Sequence, residues 1–391
     1  MSIENHKSGD IIIAGEGIAA AAAALRLLSL GHTPRLVTLG RNLTEGMEAI
    51  PEVAFPLIAE LDLSDAVIQA GGRIVKGFEN AWVETAPVLA AGCWLHIERR
   101  AFAAAAIRAA VARGAQVSVV KRLPAVPKDC LAAIDATGRS AAWSRPVRRL
   151  GNQVADVFEV RPSGERGRVE RSADGWIYRI GSTVGVVSTR QRRSASPVGA
   201  RFLGRRPAFP QWCESPIEGC RIAVGDAALA HNPLAGQGIR FALASAFAAA
   251  SVIQTWACNG DREAAQRFYI NFVAQARFRH LEFLEQRELD AAAETPQTIP
   301  ERVRFSGRSG PAELSVHSQV VRGRAILLDG PTAVRWLGGV DLLQIEKFAR
   351  KPVASTKLLR EIEAQGVAPR HASAVLLWCL KKGVLKHASE P

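Results

Sequence analysis

Apolar positions along the first forty residues follow two rhythms. Ile11 to Ala14 form an unbroken apolar run after Asp10, the length of a buried strand. The stretch IAAAAAALRLLSLG that follows is built of strong helix formers up to Gly31, where a helix is expected to stop. PRLVTL (34–39) then supplies a second strand, so strand, glycine turn, helix and strand predict a β-α-β unit. A second helix is expected in ERRAFAAAAIRAAVARGAQVSVV (98–120), feeding a further strand, and another apolar run ends on the small residues of DATGRS. Between roughly 152 and 205 the pattern changes to alternation, in VADVFEVRP, GRVERSA, GWIYRIG and TVGVVSTR, which predicts an antiparallel sheet. GCRIAVGDAALA returns to the first pattern, and residues 262–293 have the spacing of a long amphipathic helix. Pro and Gly thicken from 296 to 311, and the last segment is expected to form three short helices punctuated by Pro352 and Pro369.

At the first turn Gly15, Gly17 and Ala20 stand in a G-x-G-x-x-A spacing. Gly15 permits the tight turn, Gly17 lets a pyrophosphate approach the backbone, and Ala20 is small enough for the helix to lie against the strand. The helix N-terminus then offers its unpaired N–H groups to the diphosphate. In strand-turn-helix context this is a dinucleotide site, with one departure: Gly40 and Arg41 stand where an acid usually meets the adenosine ribose. The expected fold is therefore α/β, with a Rossmann-like dinucleotide-binding domain interrupted by an antiparallel β-sheet substrate domain. The first is assigned residues 8–75, 96–150 and 218–293, and the second 76–95 and 151–217. A linker (294–312) and a small C-terminal helical domain (313–391) follow, for which a winged-helix variant is one possible form.

With 391 residues, 48% of them hydrophobic, the chain can bury two or three domains and is not a disordered segment. The N-terminal apolar stretch is broken by Glu16, Arg26 and glycines, so neither a signal peptide nor a membrane span is expected, and the cytoplasm is the expected compartment. Six scattered cysteines show neither a C-x-x-C nor a metal-ligand spacing, so no disulfide framework and no metal site are expected. A formal net charge of +13, with clusters such as IERRAF, SRPVRRL and TRQRRS, would attract an anionic cofactor, an acidic protein partner or nucleic acid. No aromatic residues interleave these runs, which makes nucleic acid the least favoured of the three.

Gly15-x-Gly17-x-x-Ala20, then DATGRS around Gly138, then VGDAALAHNPLAGQGI (224–239) form an ordered set that resembles the FAD-dependent aromatic hydroxylases, the superfamily of p-hydroxybenzoate hydroxylase and the flavin-dependent halogenases. The resemblance covers residues from about 9 to 290. It implies that FAD is the cofactor, with Asp226 at the ribityl chain or nearby phosphates. Pro233, Gly236, Gln237, Gly238 and Ile239 would run under the isoalloxazine, and Arg99 would lie near the cofactor. It further implies that reduced flavin takes O2 to a C4a-hydroperoxide, whose distal oxygen is attacked by an electron-rich aromatic carbon.

GMEAIP (46–51) is similar to a halogenase segment, but Ala235-Gly236-Gln237-Gly238 lacks the hydroxyl pair that holds halide in that branch, and Lys76 stands offset from the halogenase lysine. A halogenase-like framework with a hydroxylase cradle and an appended domain resembles the maturation flavoproteins of quinone cofactor biogenesis, of the kind serving quinohaemoprotein amine dehydrogenase. That branch implies a polypeptide substrate carrying the target tryptophan. Candidate catalytic residues are Glu48 as acceptor for an indole N–H, His231 as proton donor or orienting group, and Lys76, with Arg73, as an anion or substrate contact. Electrons would come from NAD(P)H directly or from a separate flavin reductase. A halogenase, a small-molecule hydroxylase, an FAD-dependent isoprenoid reductase and a non-catalytic FAD-binding protein with DNA-binding helices remain open alternatives.

Overall fold

A computed structural model describes residues 9–40, 44–82, 88–162, 164–189, 194, 196–289, 299–329 and 332–388, and the chain divides into two compact units, Met1–Asn259 and Gly260–Pro391. In the first unit a six-stranded sheet runs in the order Ile217–Glu218, Arg221–Ala223, Ala132–Asp135, Ile11–Ala14, Arg35–Thr38, Gln116–Val119. Its neighbours are parallel except for the hairpin at the first edge. Ile11–Ala14 is fully buried, which is why its sequence is a continuous apolar run rather than an alternation. The helices Ile18–Ser29 and Gly238–Ala257 pack against each other, and Ala20 to Ala24 are almost wholly buried. Alanines at such positions let two backbones approach closely. Gly238–Ala257 is long and apolar enough to cross a membrane, yet Leu243, Ala246, Ala249, Val252 and Ile253 make it a core helix of this unit.

The alternating segments form an eight-stranded sheet in the order Arg201–Pro207, Val154–Glu159, Thr183–Ser188, Gly175–Ile180, Gly167–Ser172, Arg73–Ala81, Val88–Glu98, Met47–Pro51. All pairs are antiparallel except Gly167–Ser172 with Arg73–Ala81. The mixed α/β fold with an inserted, mainly antiparallel sheet is thus the one the patterning predicts. The sheet takes more chain than the assignment of 76–95 and 151–217 gave it. Met47–Pro51 and the start of Arg73–Ala81 pair with Val88–Glu98 instead of staying with the dinucleotide domain.

In the second unit the helix Arg262–Leu289 packs against the hairpin Arg308–Val316 and Gln319–Leu327, so the long amphipathic helix assigned to 218–293 belongs here. The Pro- and Gly-rich stretch assigned as linker contains the strand Arg302–Phe305 and the start of that hairpin. Three helices follow as expected: Leu342–Ala349, Ser355–Glu363 and Pro369–Lys381, the last with its proline in the first turn, where the missing N–H costs nothing. Arg302–Phe305 is flanked by Val353–Ala354 and Leu385–His387 in a small sheet. Val303, Ile326, Ile345, Leu358, Leu376 and Leu385 join strands and helices in one core.

The fold also pairs two cysteines that sequence spacing leaves unrelated. The thiols of Cys130 and Cys220 lie 3.6 Å apart and both donate toward the Pro127 carbonyl. The hydrogen bond to Cys220, with burial and neighbouring acids, pushes the Cys130 thiol far above the ordinary thiol range, so Cys130 is inert toward alkylation near neutral pH. Iodoacetamide at pH 7.5 is expected to label the exposed Cys258 well before Cys130; equal rates at the two would show that the hydrogen-bonded pair is not maintained.

Candidate functional site

Three loops leave the carboxyl ends of adjacent parallel strands, Ile11–Ala14, Ala132–Asp135 and Arg221–Ala223, where an open α/β sheet binds its ligands. They touch one another. A Cβ on Gly15, whose φ is +135°, would stand 2.3 Å from the Ala136 carbonyl oxygen, and one on Gly225, at φ +57°, would stand 2.7 Å from the Ala19 Cβ. These two glycines hold the turns together. Gly17, Gly138, Gly236 and Gly238 differ, because among the described residues a Cβ on any of them would meet nothing within 4 Å beyond its own chain neighbours. Backbone bare of side chains and facing open space on three converging loops is the cradle a dinucleotide requires.

Side chains fix each loop. The Asp135 carboxylate, fully buried, accepts hydrogen bonds from the Thr137 N–H and hydroxyl and from the Trp143 N–H, which closes the DATG turn. Asn232 accepts from the Leu234 N–H at 2.9 Å and so caps the short helix Pro233–Ala235. The Gly225 N–H donates to Ser245 on the helix Gly238–Ala257, tying the Asp226 turn to that helix. Gln237 accepts from Arg240, and Ile239 is buried in the first turn of the same helix. Ala20 is fully buried beneath the first turn. Arg41 lies outside the described residues.

A charged cluster borders the cradle. The Arg99 guanidinium meets the Glu48 carboxylate at 3.0 Å. Burial works against the Arg99 charge, but Glu48 and then Asp226 outweigh it and hold its pKa above the usual arginine value. Arg139 donates to the carbonyls of Phe209 and His231; burial lowers its pKa, opposed by Asp226. The Tyr178 phenol is raised to about 12 by burial and then by Glu48, so it is a neutral hydroxyl at physiological pH.

The three candidate catalytic residues stand in different surroundings. Glu48 is engaged by Arg99. His231 is buried with its ring against Phe241, centroids 5.2 Å apart. Lys76 is exposed and its side chain projects to the face opposite the buried Val75.

Sequence reasoning missed Glu16. Its carboxylate accepts the Thr38 hydroxyl, while the Thr38 oxygen accepts the Gly40 N–H, so an acid reaches the strand end that lacks one of its own. The signal was present in the acid between Gly15 and Gly17.

One face of the eight-stranded sheet is aromatic. Trp176, Val169, Val157, Val187 and Ala155 form a buried cluster against which Phe78, Trp82, Tyr178 and Leu203 pack, together with Leu234 of the PLAGQG cradle. Two glycines make room for flat rings, since a Cβ on Gly167 would stand 2.2 Å from Phe78 and one on Gly185 would stand 2.0 Å from Tyr178. Gly185→Ala is therefore expected to expel the Tyr178 ring and to cost about 1–3 kcal/mol by overpacking, measured by denaturant unfolding. Gly185→Ala in a Tyr178→Leu background should cost much less, and equal costs in the two backgrounds would contradict that packing.

No family model matches the chain, and no curated protein matches its sequence. Solved structures match in fold. The peptidyl tryptophan dihydroxylase QhpG, essential for tryptophylquinone cofactor biogenesis, superposes with a TM-score of 0.67 at 19% identity, covering 96% of this chain and 99% of its own. The flavin-dependent halogenase CmlS gives 0.65 at 13% identity, covering 98% and 96%. The myxobacterial chondrochloren halogenase CndH gives 0.62 at 18% identity, covering 71% and 81%. At these identities the likeness is one of fold, and the chain has the α/β fold of the flavin-dependent halogenases and of the peptidyl tryptophan dihydroxylase.

Proposed function

We propose that this chain is an FAD-dependent monooxygenase that hydroxylates an electron-rich aromatic ring. The observation that carries this reading is the bare-backbone cradle of Gly17, Gly138, Gly236 and Gly238, bordered through Leu234 by the aromatic sheet face. Gly17 would receive the pyrophosphate at the helix N-terminus, on a turn that Gly15 and Ala20 hold in place, and Glu16 the adenosine ribose that Gly40 and Arg41 leave without an acid. Asp226, positioned by Ser245 and beside Arg99, would meet the ribityl chain, and residues 233–239 would lie under the flavin ring. The cofactor, reduced by NAD(P)H or a flavin reductase, supplies the activation of O2. The chain's own residues orient the ring and exclude water. Glu48 acts through Arg99, as a positioning residue. The experiment is to reconstitute the protein with FAD, reduce it, admit O2 with a tryptophan-containing peptide, and weigh the product. A mass gain of one or more oxygen atoms is expected; flavin reoxidation with no oxygen found in any aromatic product would overturn the reading.

Halide should take no part. PLAGQG offers no hydroxyl side chain where halide would be held, so the same reaction in bromide is expected to give oxygenated products only. A product carrying bromine would reassign the chain to the halogenase branch.

The substrate that fits best is a tryptophan within a polypeptide, in the manner of quinone cofactor maturation. CmlS is covered to much the same extent as QhpG, so the second unit alone does not choose between the branches; the absence of a hydroxyl pair in the PLAGQG sequence favours the oxygenating one. Residues 300–391 carry fifteen Lys and Arg against eight Asp and Glu, and Arg304 and Lys386 stand exposed side by side across paired strands. Such a surface would speed encounter with an acidic polypeptide. Arg304→Glu with Lys386→Glu is expected to lower kcat/KM for an acidic tryptophan peptide several-fold at low salt and leave free tryptophan unchanged. An equal effect on both would reject the polypeptide docking role.

A further inference from the structure

We propose that Asn80 determines specificity for the ring N–H of the substrate, accepting it on the side-chain amide oxygen. The proposal rests on the aromatic oxygenase reading above. Asn80 pairs with Val169, Val169 with Tyr178, Tyr178 with Gly185, and Gly185 with Val157, in one row across five strands. Paired residues share a face, so Asn80 stands on the aromatic face and not on its solvent side. Its neighbours two residues away along the chain, Phe78 and Trp82, both pack into the same cluster as Trp176 and Leu234. The Asn80 amide oxygen is buried and has no hydrogen-bond partner among the described residues.

A buried acceptor without a partner costs stability, and leucine could fill the same volume among these aromatic neighbours without that cost. An acceptor kept there has a donor when the site is filled. The aromatic and apolar side chains around it suit an aromatic substrate, and the complementary group is a ring N–H, which an indole carries and a benzene or 1-methylindole ring does not. Glu48, the acceptor that sequence spacing favours, is already bonded to Arg99. A neutral amide is also the better acceptor here, because burying an unpaired carboxylate beside the substrate ring would cost far more than burying an amide.

The test uses the full-length FAD-loaded protein and two probes, N-acetyltryptophanamide and its 1-methyl analogue, with binding read from the change in the bound flavin's visible spectrum. Wild type is expected to bind the N–H probe about tenfold more tightly than the methylated one. Asn80→Leu should bring the two affinities together at unchanged flavin content, and Asn80→Asp, which keeps an acceptor, should retain a preference. Equal affinities in wild type, or a preference that survives in Asn80→Leu, would overturn the role of Asn80 while leaving the aromatic oxygenase reading standing. A flavin-loaded wild type that binds neither probe, and oxygenates no tryptophan peptide, would remove both.

Discussion

Gly17→Val is expected to yield a folded, colourless protein with FAD affinity lowered by at least a hundredfold. Apart from its chain neighbours, no described residue lies within 4 Å of the position a Gly17 Cβ would take, and its φ is an ordinary −90°, so the fold accepts a side chain there. What the side chain fills is the space a pyrophosphate would occupy against the helix N-terminus. Gly15→Val provides the contrast. Its Cβ would stand 2.3 Å from the backbone oxygen of Ala136, at a φ that side chains rarely adopt, so it should lower the melting temperature sharply with or without FAD. Asp226→Ala removes an acceptor and the charge that Arg99 and Arg139 both feel, and should weaken FAD by roughly tenfold or more with little loss of stability. Melting curves with and without FAD, beside flavin content after desalting, separate the three. A yellow Gly17→Val protein with full flavin content would remove the dinucleotide reading.

The separation between Gly15 and Gly17 also marks what a sequence can carry. G-x-G-x-x-A states that small residues are needed, and the periodicity around it states that a strand precedes and a helix follows. That Gly15 is packed and Gly17 is left open to a ligand depends on Ala136, more than a hundred residues away from the first. The four alternating segments between 152 and 205 became strands because period two is a local property. Met47–Pro51 escaped because its polar and apolar order is weak and its strand character comes from pairing with Val88–Glu98. The helix Arg262–Leu289 was plain from its spacing, but an amphipathic stripe announces only that it packs, and the hairpin it packs on lies in a stretch whose Pro and Gly content resembles a linker.

Candidate chemistry was legible in the same uneven way. Cradle residues sit in consecutive runs, so 224–239 displays them together. Glu48 and Arg99 are 51 positions apart, and nothing in either segment signals that the acid proposed to face the substrate would be taken by the arginine proposed to face the cofactor. Asn80 follows another polar residue, Glu79, and His96 is a single polar residue in an apolar run. In sequence they resemble the solvent side of a strand; only register and curvature place them inside.

His96→Leu is expected to remove a stability loss of about 3 kcal/mol that wild type suffers between pH 7 and pH 4. His96 is fully buried, and neither ring nitrogen has a hydrogen-bond partner among the described residues. Burial, and then the charge of Arg73 on the paired strand, lower its pKa from 6.5 to about 4. The sign follows from the proton count. Between those two values the unfolded chain binds a proton that the folded chain refuses, so stability is complete above pH 6.5 and falls as the pH is lowered toward 4. Asp156 has a depressed pKa, for burial is outweighed by hydrogen bonds from Arg205 and Ser194; its own loss begins as the pH falls into the ordinary carboxylate range and continues below it, so it falls at the acid end of this window and beyond. At pH 7 the leucine variant should match or exceed wild type, since it exchanges two unpaired buried nitrogens for methyl groups. Urea unfolding at pH 7, 5.5 and 4.5 decides the matter: wild type should weaken stepwise and His96→Leu should stay nearly level. Parallel losses in both proteins would mean that His96 takes up its proton in the folded state as readily as in the unfolded one, and that a polar partner reaches it inside the sheet.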